Sequence, residues 1–131
     1  MCLYVVIINN YVIRKIDLNS GIITTVVGNN SSSSIGDGGP ASLAGFNVPY
    51  GVICDSIGNM YISESYKIRK VDFTSGIITT YAGTGTAGNT GDGGLATSGT
   101  FGYAFYLCFD PSGNLVVCDT GNNSIRKISS G

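Results

Sequence analysis

The sequence predicts an all-β repeat protein built from short antiparallel strands. Three observations carry that expectation. The segment "YVIRKIDLNSGIITTVVG" at 11–28 returns as "YKIRKVDFTSGIITTYAG" at 66–83, with twelve of eighteen positions identical and an offset of 55 residues. Runs rich in Val, Ile, Thr and Tyr, which suit a half-buried pleated surface, alternate with glycine-rich turns. No apolar pattern of helical period holds over a useful length.

The period is kept along the chain. "IRK" stands at 13–15, 68–70 and 125–127, "GDGG" at 36–39 and 91–94, and "GNMYI" at 58–62 is matched by "GNLVV" at 113–117. One unit can be read strand by strand. "VPYGVICD" (48–55) is an apolar run that ends in an aspartate. In the following "DSIGN" turn the Asp55 side chain can cap backbone N–H groups and Gly58 can take a positive φ, and Asp110 and Gly113 occupy the same places in "DPSGN". "NMYISES" (59–65) and "KIRKVD" (67–72) are strands joined by a tight link, and "FTSG" turns the chain into the β-branched "GIITTYAG" (76–83). A glycine-rich connection, 84–103, leads to the next unit.

Four meandering strands per period suit a propeller blade rather than a β-helix coil, whose period is shorter. The strands fall at 3–27 (second to fourth of one blade), 48–83 (a full blade) and 104–128 (first to third of another). About two and a half blades fall short of the four to eight of closed propellers. The chain then reads either as a fragment of a longer propeller or as a protomer of an oligomeric one. Bare sheet edges invite pairing, so the expectation is completion by oligomerisation with copies of the same chain, a dimer being favoured.

Composition narrows the function classes. At 131 residues and 43% hydrophobic, the chain has enough apolar material for one modest core. Net charge is −1 with seven basic residues, and the pI is near 5.0, so no nucleic-acid partner is expected. No apolar run approaches the length of a membrane span, so no membrane partner is expected either. "MCLYVVII" has no basic lead-in and no cleavage site, and reads as a strand. Histidine is absent, and Cys2, Cys54, Cys108 and Cys118 lack C-x-x-C spacing, so neither metal nor cofactor is expected. The compartment stays open.

Two sets of residues are candidates for ligand contact. Asp37 and Asp92 sit in glycine-rich loops whose amides could cradle an anion or whose carboxylates could help hold a calcium ion. One carboxylate per loop is few for calcium, and a sharp inter-blade connection capped by the aspartate explains the same pattern. Tyr50 and Tyr103, with Phe105, lead into first strands near one mouth of the propeller, where peptide or glycan contact and core packing are both open. Arg14, Arg69 and Arg126 share one strand face. With Asp17 and Asp72 three residues beyond the first two, ion pairing within or between blades is the simplest account, a cationic belt that recruits an acidic partner being the alternative. No nucleophile and base stand out as a pair, so no catalytic residue is named.

Taken together, "IRKVDFTSGIITTYAG", "GDGGPA", "PYGVICDSIGNMYI" and "DTGNNSIRK" resemble NHL repeats over essentially the whole chain. The resemblance implies a propeller, commonly six-bladed, that acts as a protein- or ligand-binding platform rather than as an enzyme, a fragment of a larger propeller sensor or lyase-like enzyme being the alternative. Lyase-like members of that family use histidine-bound zinc and RNA-binding members a basic face; this sequence has neither.

Overall fold

The computed structural model describes residues 1–130, which form ten strands in three antiparallel sheets. The first sheet holds β1 (Cys2–Ile7), β2 (Val12–Asp17) and β3 (Ile23–Val27). The second holds β4 (Pro49–Cys54), β5 (Met60–Glu64), β6 (Lys67–Val71) and β7 (Ile78–Ala82). The third holds β8 (Ala104–Phe109), β9 (Leu115–Asp119) and β10 (Ser124–Ile128). Each strand pairs with its neighbour in sequence, so each sheet is a meander, and β4 runs against both β1 and β8. This is a propeller-like row of three blades. No helix among the described residues is long and apolar enough to cross a membrane.

Strand alternation gives each blade two apolar faces. On β5, Ile62 faces the first blade, where it joins Ile13, Val27, Val71, Ile78 and Phe46 in one core. Its neighbour Tyr61 faces the third blade and joins Ile68, Ala82, Leu115, Val117 and Phe101 in another. The central blade is thus buried on both sides, and the outer blades on one side each.

The repeated phrase also fixes a repeated irregularity. Between Ile13 and Arg14, and again between Ile68 and Arg69, the outer strand carries one extra residue, Val26 or Tyr81. The bulge brings Arg14 opposite Thr25 and Arg69 opposite Thr80. Gly28 and Gly83 follow it with φ of +102° and +88°, and a Cβ at either would lie 2.5 Å from a backbone carbonyl oxygen, of Tyr11 or Tyr66. Only glycine fits there.

Candidate functional site

The aspartates of the glycine-rich connections lie at the blade junctions. After leaving β3, the chain crosses to the second blade, where the Gly38 N–H donates to Ile78 and the Ile78 N–H donates to Gly39. The connection therefore adds a short outermost rung to β7. Asp37 is carried onto Arg69: one oxygen accepts from the guanidinium at 2.7–2.8 Å, and the other from the Thr80 hydroxyl. Arg69 is fully buried and also donates to the carbonyls of Gly45 and Ile35 and to Glu64. Glu64, itself 1% exposed, accepts from the Ser34 hydroxyl and the Asn47 N–H. One buried cation and two carboxylates thus tie a connection to its blade through charge-assisted bonds.

The third blade repeats the joint. Arg126 binds Asp92 at 2.7 Å, donates to the carbonyls of Thr100 and Thr90, and lies 3.7 Å from buried Asp119. Each guanidinium sits over an aromatic ring of its connection, Phe46 at 5.8 Å and Phe101 at 5.1 Å. The difference is the missing outer strand. No strand lies beyond β10 among the described residues, and an open groove of about 450 Å³ runs between Gly91–Ala96 and Arg126–Ser129. The Asp92 side chain is 90% exposed beside it.

Among the described residues neither Arg14 nor Arg69 pairs with the aspartate three residues on; Arg69 binds Asp37 and Glu64. Asp17 and Asp72 instead accept backbone N–H groups of their own turns, from Asn19 and Ser20 and from Thr74 and Ser75. The reason is geometric: those turns end the strand pair, while Arg69 points across to the connection. Arg69 is buried and the Arg126 side chain 12% exposed, so these arginines form no cationic belt.

Asp55 accepts the N–H groups of Ile57, Gly58 and Asn59 at 2.9–3.0 Å, and the Asn59 side chain at 2.7 Å. Asp110 accepts Ser112, Asn114 and the Asn114 side chain in the same way. Burial works to raise the Asp55 carboxyl, but the bonds from Asn59, Gly58 and Ile57 outweigh it and hold the pKa below the usual 3.8. Asp110 is lowered too, chiefly by Asn114. Gly58 and Gly113 take φ of +108° and +83° in these turns.

Tyr50 and Tyr103 come together with three further rings at one end of the blades. Tyr50 stacks on Phe105 with centroids 4.2 Å apart, and Phe105 leans on Tyr106. Tyr66, in the β5–β6 link, sits 5.3 Å from Tyr103, and their hydroxyls are 3.3 Å apart. That hydrogen bond is the main cause that raises the Tyr66 pKa. Tyr103 and Tyr106 are exposed at 42% and 65%, so this end presents aromatic faces suited to stacking and apolar contact. Among the described residues no three His, Cys, Asp or Glu side chains gather as metal ligands.

Sequence reasoning missed Glu64, Asp119 and Thr80. The two acids had a signal, an acid closing the second strand of the unit, Glu64 before "IRK" and Asp119 before the next "IRK". It was masked by two extra residues in the later link.

The NHL repeat model matches residues 107–128. The chain is 34% identical to NHL repeat-containing protein 2 of Bos taurus over 97% of its own length, spanning 19% of that protein. A structural genomics protein of unknown function from Bacteroides thetaiotaomicron superposes with a TM-score of 0.83 at 27% identity, over 95% of this chain and 31% of that one. An auxiliary nutrient binding protein from the same organism shares the fold at 19% identity and a TM-score of 0.69, over 96% of this chain and 34% of that one. Repeated motifs, bulged blades and these likenesses agree: the chain belongs to the NHL-repeat family.

Proposed function

We propose that this chain is a non-catalytic NHL-repeat scaffold that binds a protein or small ligand and joins a second copy of itself through its partial blades. The observation that carries the proposal is the apolar character of both end faces. On the first blade Leu3 and Ile23 are 51% and 45% exposed, and Ile23 corresponds to Ile78, which is buried at the next junction. On the third blade Ile125 and Tyr106 are 69% and 65% exposed, and Ile125 corresponds to buried Ile68. The two faces are the two halves of the junction that the chain builds twice internally, so a head-to-tail pair of copies extends the same packing. The exposed Tyr103 ring, beside Tyr66, supplies the contact surface for a ligand.

Absolute molar mass by light scattering tests the assembly. Twice the 13.6 kDa of one chain is expected, and the single-chain mass for Ile125→Lys, whose side chain has room for the charge in a lone chain. A folded species at the mass of one chain overturns the assembly, and turnover of an ester, lactone or peptide panel by the purified chain overturns the non-catalytic reading.

A further inference from the structure

The arginine of the "IRK" phrase is seated twice in this chain and stands once without a seat. Arg69 and Arg126 each receive a connection of the pattern Gly-Asp-Gly-Gly-x-Ala-x4-Phe, residues 36–46 and 91–101, with the aspartate on the guanidinium and the phenylalanine beneath it. Arg14 has the same place on its blade. Its Nε is buried and has no hydrogen-bond partner among the described residues. Opposite it, across the same bulge, is exposed Thr25, the counterpart of the Thr80 that completes the Asp37 site. The edge of β3 at Ile23 is exposed, where β7 offers Ile78 to Gly38 and Gly39. Ile7, opposite Val12, stands where the other blades carry Glu64 and Asp119, so no carboxylate answers the Arg14 charge from that place on its own blade.

From this geometry we infer that Arg14, Thr25 and the β3 edge form a docking seat for a Gly-Asp-Gly-Gly-x-Ala-x4-Phe connection supplied by a further repeat of the same family. The carboxylate takes the guanidinium and the Thr25 hydroxyl, the glycine amide and carbonyl pair with Ile23, and the phenylalanine covers the arginine. An orphaned buried guanidinium nitrogen is costly, and a charge-assisted partner removes that cost. The occupant comes from outside this set of repeats, because both connections here are engaged by Arg69 and Arg126. A head-to-tail pair of copies supplies no spare connection, so the seat does not depend on self-assembly.

The test uses the whole chain and a fluorescent peptide with the sequence of residues 35–47, followed by anisotropy. Saturable one-to-one binding is expected, weakened about tenfold or more by Asp37→Asn in the peptide and by Arg14→Gln in the chain. Thr25→Val lies at an exposed position that leaves the fold intact and is expected to weaken binding severalfold, which keeps the test valid if Arg14→Gln fails to fold. Absence of saturable binding overturns the inference, as does equal affinity for the Asn peptide or for a folded Arg14→Gln chain. A fall in molar mass on adding the peptide would put a second copy on Arg14 and overturn it as well.

Discussion

Removing Arg69 is the sharpest perturbation of the blade joint. Its guanidinium is fully buried and holds Asp37, Glu64 and two backbone carbonyls at once. In Arg69→Met the methylene stem is replaced but Glu64, 1% exposed, is left as a buried charge with only the Ser34 and Asn47 donors. Breaking a buried pair from one side costs ~3–5 kcal/mol. That is a large share of the 5–15 kcal/mol typical of a domain. Glu64→Gln alone costs ~1–3 kcal/mol, since the amide can still accept one donor. Combining the two removes the stranded charge, so the double variant is expected to be more stable than the summed single costs by about 1 kcal/mol or more. Urea unfolding followed by near-UV circular dichroism measures all four corners of the cycle. A cost below about 1 kcal/mol for Arg69→Met, or strict additivity, would refute the joint as described.

Other outcomes follow from the same geometry. Gly83→Ala places a Cβ 2.5 Å from the Tyr66 carbonyl oxygen at a φ of +88°, whereas Gly38→Ala, at +82°, meets nothing within 4 Å. The first is expected to cost well above 2 kcal/mol and the second ~1–2 kcal/mol from the left-handed backbone alone, and equal unfolding midpoints would contradict this. The Asp55 and Asp110 carboxyls titrate lower in the folded chain than in the unfolded one. The stability they confer is therefore complete above the unfolded value near 3.8 and is lost as pH falls through the folded values. Urea midpoints measured from pH 6 down to about 2.5 should fall along this limb, more shallowly for Asp55→Asn, and an unchanged slope in that variant would count against the turn-capping role.

The strands were legible because period-two alternation and β-branched residues mark them directly: "GIITTYAG" contains β7, and "VPYGVICD" contains β4. The aspartate turns were legible because Asp55 and Gly58 act within four residues of each other. The arginine joint was not, because Asp37 and Arg69 are separated by 32 residues and nearer aspartates offered a simpler pairing. The bulge that sets Arg69 opposite Thr80 has no marker in composition either; it follows from how β7 meets Gly83 and the carbonyl of Tyr66. Tyr50 and Tyr103 could be placed near one mouth from their position before first strands, but the stacking with Phe105 and Tyr66 depends on adjacent blades and is a tertiary property.

At the centre of this account the glycine–aspartate connection of one blade is the outermost rung of the next. Residue-resolved amide hydrogen exchange tests that most directly. Gly38 and Ala41 donate to Ile78 and Gly76, while their counterparts Gly93 and Ala96 face the groove beside β10 with no outer strand among the described residues. Slow exchange at Gly38 and Ala41 with fast exchange at Gly93 and Ala96 is the predicted result. Equal rates at the two connections would contradict it.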